Sequence, residues 1–233
     1  MNKSSDGKKY FVLFALLLAP GLVLIFLSKS DHSFVTLPYF GPKEVVSGSA
    51  FSTGDTIYHT VPDIALVNQF GDEISMVDFE GKMVVANFFY TNSSSNGPIM
   101  TKQMSRLQWM LEDPAYEDVA FLSHTVDPEN DTPEVLLAYG KDEGADFSRW
   151  TFVTGDYENL KNQSKAGYLV DAQENSSPPE GISHSSMFIL LDRERRIRGY
   201  YDGTSSKEVD DLVTDIKMLK KEETLKESEK VRS

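Results

Sequence analysis

The sequence predicts an α/β domain, a mixed sheet with helices on both faces, behind an N-terminal transmembrane helix. Three observations carry this. The near-continuous apolar runs KMVVANFFY, DVAFLSHTVD and WTFVTG have the length and composition of strands covered on both faces. Between them lie stretches whose apolar residues recur every three or four positions, the period of a helix with one buried face. Residues 11–27 are uncharged and reach about 26 Å at roughly 1.5 Å per helical residue, close to the thickness of a bilayer core.

Residues 1–9 form a short leading tail in which Lys3, Lys8 and Lys9 outnumber Asp6, so the positive-inside tendency keeps it in the cytoplasm. Residues 10–28 are the expected single-pass anchor, which leaves the globular part on the exported side of the membrane. Residues 29–60, rich in Ser, Gly, Pro and Thr, read as a tether. The domain is expected over residues 61–220. PDIALVNQFGDEI predicts two short strands around a Gly-Asp turn, and SMVDFEG a single capped helical turn closed by Gly81.

The strand KMVVANFFY follows, and the polar loop YTNSSSNG leads into a helix over residues 98–112. Its core face is read as Ile99, Met100, Met104, Leu107, Met110 and Leu111, with Pro98 at the first position. DVAFLSHTVD is the second buried strand and DTPEVLLAYGKDEG a helix capped by Thr132, with Pro133 just inside. WTFVTG is the third strand. MFILLDRERRIRGYYDG predicts a hairpin, and residues 205–219 a last helix; residues 221–233 are expected to fray. The alternation of strand and helix, closed by hairpin and helix, is the plan of thioredoxin-like domains.

Charge and composition narrow the function. Lysines and arginines number 23 against 36 aspartates and glutamates, a formal charge of -13, which repels phosphate backbones and excludes nucleic acid as a partner. The chain contains 0 cysteines, so disulfides, thiolate metal sites and thiol redox chemistry are excluded. A serine hydrolase built on Ser93 lacks the G-x-S-x-G elbow, and no enzymatic activity is expected.

Seven stretches together resemble the Sco/SenC family: DTIYHTVPD, FEGKMVVANFFYT, PIMTKQM, TVDPENDTPEVLLAYG, WTFVTGD, ISHSSMFILLD and RIRGYYDG. The resemblance runs from about residue 56 to residue 219. It implies a membrane-anchored thioredoxin-like domain associated with copper delivery and with assembly proteins of the respiratory cytochrome c oxidase. It also implies a site loop of the form Y/F-T-x-C-P-x-x-C-P and a distant histidine before a strand. Tyr90, Thr91 and Pro98 match that loop, but its cysteines fall on Ser93 and Gly97 and its inner proline on Ser94; the histidine falls on His184.

Cuprous ion is soft and is held by thiolates and thioethers, whereas a serine hydroxyl is a hard, neutral donor and glycine offers nothing. The expectation is therefore a non-redox, copper-site-degenerate protein that acts by binding partners. Its site is Ser93, Ser94, Ser95, Asn96, Gly97 and His184. No cofactor is assigned, and His184 is the one metal candidate, giving at best weak or partner-assisted copper binding. Asn96 or Gly97 is expected to cap the helix. Asp127, Asp131 and Thr132 read as turn and cap residues, and His124 as a strand-end histidine.

Overall fold

A computed structural model describes residues 14, 18, 36–45, 56–63, 65–170 and 186–232. The chain divides into two units, Met1–Val35 and Thr36–Ser233. Of the first unit only Phe14 and Leu18 are described, both helical and exposed. The expected anchor otherwise lies outside the described residues, among which no helix is long and apolar enough to cross a membrane.

The second unit contains nine strands among its described residues: β1 (Lys43–Val45), β2 (Thr56–Tyr58), β3 (Leu66–Asn68), β4 (Glu73–Ile74), β5 (Met83–Phe89), β6 (Val119–Thr125), β7 (Trp150–Thr154), β8 (Met187–Leu191) and β9 (Ile197–Asp202). The α-helices among the same residues are α1 (Gly97–Met110), α2 (Pro133–Asp142), α3 (Tyr157–Asn162) and α4 (Ser206–Arg232). Strands β1 and β2 form an antiparallel pair, and the other seven a single sheet ordered β4-β3-β7-β6-β5-β8-β9. β5, β6 and β7 are parallel; β3, β4, β8 and β9 join antiparallel. This is the mixed sheet the sequence predicts.

The apolar runs become central strands because every residue of β5 and β6 is buried, and alternate residues feed opposite faces. Met83, Val85 and Phe89 enter a core with Met100, Met104 and Leu107 of α1, Leu136 of α2 and Leu212 and Ile216 of α4. Val84, Ala86 and Phe88 enter a second core with Met76, Phe79, Leu160 and Tyr168. Each fully buried aromatic or branched side chain contributes about 1.5–3 kcal/mol of transfer free energy, so the two layers pin this strand from both sides. Polar residues inside the sheet are satisfied in a chain: Trp150 Nε1 donates to Ser123 Oγ at 2.9 Å, and Ser123 Oγ donates to Asn87 Oδ1 at 2.6 Å.

Several expectations change. The domain begins at Thr36 rather than residue 61, because residues 37–40 run beside β9: Phe40 N donates to Ile197 O at 3.0 Å, and Leu37 is core. This segment also covers part of a sheet edge, where it pairs the otherwise open Ile197 carbonyl. The last helix does not stop at residue 219 but continues to Arg232, because Glu222 is buried at 6% exposure against Arg198. Ile99, placed on the core face of α1 by spacing, is 46% exposed, whereas Met100, Met104, Leu107 and Leu111 are buried as expected. Helix α3 and the π-helical turn after it, Gln163–Gly167, were not expected, since six residues leave too short a window for periodicity. The SMVDFEG turn is as expected, a 3-10 turn with Ser75 and Asp78 in a capping box and Gly81 at φ +76°.

Candidate functional site

The loop between β5 and α1 lies at the carboxyl ends of the parallel strands, where open α/β sheets present their clefts. Its entry is fixed by a buried carboxylate. Asp131 is fully buried and accepts from Thr91 N at 3.2 Å, from Thr91 Oγ1 at 2.5 Å and from Thr125 Oγ1 at 2.5 Å. One anionic side chain thereby joins the loop to the end of β6 through charge-assisted bonds. The sequence marks Asp131 as a turn residue; its anchoring role depends on two stretches, FFYT and TVDPENDT, that lie far apart in the chain and meet in the fold.

The loop then closes on itself. Ser93 N donates to Tyr90 O at 3.2 Å, and Ser93 Oγ accepts from Gly97 N at 3.2 Å. Ser93, not Asn96 or Gly97, therefore satisfies an orphan amide of α1. Asn96 occupies the cap position without a side-chain cap bond, and its Nδ2 donates to Ser186 Oγ at 3.1 Å, one residue before β8. Below the loop, Thr101 Oγ1 donates to Gly97 O at 3.0 Å and so accepts from Tyr139 O–H at 2.6 Å, joining α1 to α2. Burial pushes the Tyr139 phenol up, which keeps it the donor.

Of the expected site residues, Ser93, Ser94, Ser95, Asn96 and Gly97 form this one loop; Ser94, Ser95 and Asn96 are exposed and Gly97 is buried. His184 lies outside the described residues. Ser186, two positions after it, is the nearest described residue on that segment, and the loop reaches it.

His124 stands at the end of β6, as expected, and is fully buried there, stacked on Phe88 at 4.9 Å and edge-on to Tyr168 at 5.1 Å. Its Nε2 lies 3.4 Å from Tyr168 Oη, and Nδ1 makes no hydrogen bond of ordinary geometry. Burial holds its pKa down at about 4, against the weaker opposing pull of the Asn87 and Leu122 backbone. His59 belongs to the domain, with Nε2 2.7 Å from Gly167 O.

The described residues do not fit a cuprous ion. Position 93 offers a hydroxyl already committed to Gly97 N–H, and position 97 offers no side chain. The thioethers of Met100 and Met104 are 3% and 0% exposed and face the core. Among the described residues no group of three His, Asp or Glu side chains is placed to hold a metal.

Comparison with known proteins agrees with the fold. The SCO1/SenC family profile matches residues 54–221. The SCO1 protein homolog of Bacillus subtilis is 30% identical over 166 residues, covering 70% of this chain and 84% of its own length. The crystal structure of a SCO1/SenC family lipoprotein from Bacillus anthracis superposes with a TM-score of 0.62 at 31% identity, covering 69% of this chain and 95% of the other. BsSco, a Sco-family cytochrome c oxidase assembly protein in which a disulfide switch was identified, superposes with a TM-score of 0.61 at 27% identity, covering 70% and 94%. With a family profile spanning well over half its length, this chain belongs to the SCO1/SenC family.

Proposed function

We propose that this chain is a membrane-anchored SCO1/SenC protein that serves cytochrome c oxidase assembly by binding partner proteins, with no thiol chemistry and no firm copper site of its own. The family's association with copper delivery and oxidase assembly supplies the process. One observation carries the rest: the chain has 0 cysteines, and Ser93 and Gly97 stand where the resemblance puts the two thiolates. Without a thiol there is no dithiol to oxidise and no anionic sulfur to neutralise Cu(I). What the loop keeps is a rigid frame, anchored by Asp131 and Tyr139, that presents Ser94, Ser95 and Asn96 to a partner. In this reading residues 10–28 hold the domain on the exported side of the membrane.

Genetic replacement tests it. Deleting the gene should lower cytochrome c oxidase activity in the organism's membranes, and re-expressing the parent chain or His184→Ala should restore it within about twofold of one another. Failure of His184→Ala to rescue, at equal protein level, would instead favour copper binding through that histidine.

A further inference from the structure

Residues 93 and 97 share one space. A Cβ built on Gly97 would lie 2.4 Å from Ser93 Cβ and 2.6 Å from Ser93 Oγ. Ser93 Cβ is fixed to the backbone and cannot rotate away, so this backbone admits a Cβ at position 93 or at position 97 but not at both. Gly97 is not among the positive-φ residues, so left-handed geometry is not what demands glycine there. Two cysteines in a disulfide keep their Cβ atoms about 3.5–4.5 Å apart, well beyond this separation.

We infer that the loop is held shut by its own side chains, as a metal-independent latch in which Ser93 and Gly97 form one steric pair and Asn96 ties the loop to the start of β8. Ser93 Oγ holds Gly97 N–H, and Asn96 Nδ2 holds Ser186 Oγ across 90 residues of sequence. The latch joins the α1 entry to the segment preceding β8 without an ion between them. It deepens the functional reading above and rests on it for its consequence: the docking face is presented constantly, whatever the copper or redox state outside. Putting both thiols back on this backbone is sterically blocked, so the loop has changed shape as well as chemistry.

A substitution cycle read by hydrogen exchange tests the latch in the full chain reconstituted in detergent micelles. Alanine at a glycine with negative φ ordinarily protects a helix start, so the sign is diagnostic. Gly97→Ala is expected to speed exchange of the peptide spanning residues 90–100 at least tenfold. In a Ser93→Gly background, itself faster than the parent for loss of the cap, the same change should add less than threefold. Ser93→Cys with Gly97→Cys, kept reduced, should open the peptide as Gly97→Ala does. Cu(I) or a strong chelator should shift the parent by less than twofold. Equal effects of Gly97→Ala in both backgrounds would overturn the latch, as would slowing by Cu(I) of the parent's loop. Tight Cu(I) uptake by the parent with the coupling intact and loop exchange unchanged would overturn the functional reading and leave the latch standing.

Discussion

Replacing Arg198 with methionine is expected to cost about 3–5 kcal/mol of stability, the range for removing one member of a buried ion pair. The Arg198 side chain is fully buried, with Asp192 at 0% and Glu222 at 5% side-chain exposure. Its Nη1 lies 3.3 Å from Asp192 Oδ2, and Nη2 donates to Glu222 Oε2 at 2.9 Å. The remaining donors reach back to the entry segment, Nη2 to Leu37 O at 2.7 Å and Nε to Pro38 O at 3.2 Å, with the Tyr39 ring 4.1 Å from the guanidinium. Burial alone would push the Glu222 carboxyl up, but hydrogen bonds from Lys226 and Arg198 outweigh it and hold it below the usual carboxylate range.

Methionine would fill the space and leave two carbonyls and part of two carboxylates unsatisfied. Arg196 on Asp192 and Lys226 on Glu222 soften the loss without replacing those bonds. Urea unfolding of the full chain in micelles measures it. Arg198→Met with Glu222→Leu should recover part of the deficit, because an uncompensated charge no longer remains buried. A single-variant loss below about 1 kcal/mol would show that the entry segment is not held through this arginine.

The second large effect is a dependence on pH through His124. Above pH 6.5 the imidazole is neutral in both folded and unfolded chains and contributes no slope. As pH falls from 6.5 towards the folded value of about 4, the unfolded chain takes up a proton that the buried ring refuses, so stability drops with falling pH. The accumulated loss by pH 4 is about 3 kcal/mol at ~1.4 kcal/mol per pH unit. The packing against Phe88 and Tyr168 keeps water from the ring, and the Asn87 and Leu122 backbone offsets only part of the cost of charging it. His124→Leu should therefore lose about 3 kcal/mol less than the parent between pH 7 and pH 4, whatever it costs at neutral pH. Parallel profiles for parent and variant would place the ring in contact with water.

Much of the architecture was legible in the sequence because it rests on local chemistry. β5 and β6 carry near-continuous apolar runs, α2 begins with Thr132 as cap and Pro133 behind it, and Ser75 with Asp78 makes the capping box. Elements that depend on distant partners were not legible. Nothing near Glu222 signals that α4 continues past residue 219, because the reason is Arg198 on β9. Nothing near Leu37 marks it as core, since the carbonyl anchors come from that same arginine.

The site divides the same way. Zero cysteines can be read directly, and the Ser93, Gly97 and His184 positions follow from the resemblance to the Sco/SenC site loop. The exclusion of a second Cβ, the cap made by Ser93 and the Asp131 anchor are facts of three-dimensional packing, visible only once β5, α1 and the turn before α2 are brought together.

The central claim is that this family member does not hold copper firmly by itself. The full chain, purified in detergent and loaded with excess Cu(I) under anaerobic conditions, can be equilibrated with a strong cuprous chelator and assayed for retained metal. The account predicts that essentially all copper passes to the chelator, equally for parent and His184→Ala. One copper retained per chain by the parent, and lost in His184→Ala, would contradict it.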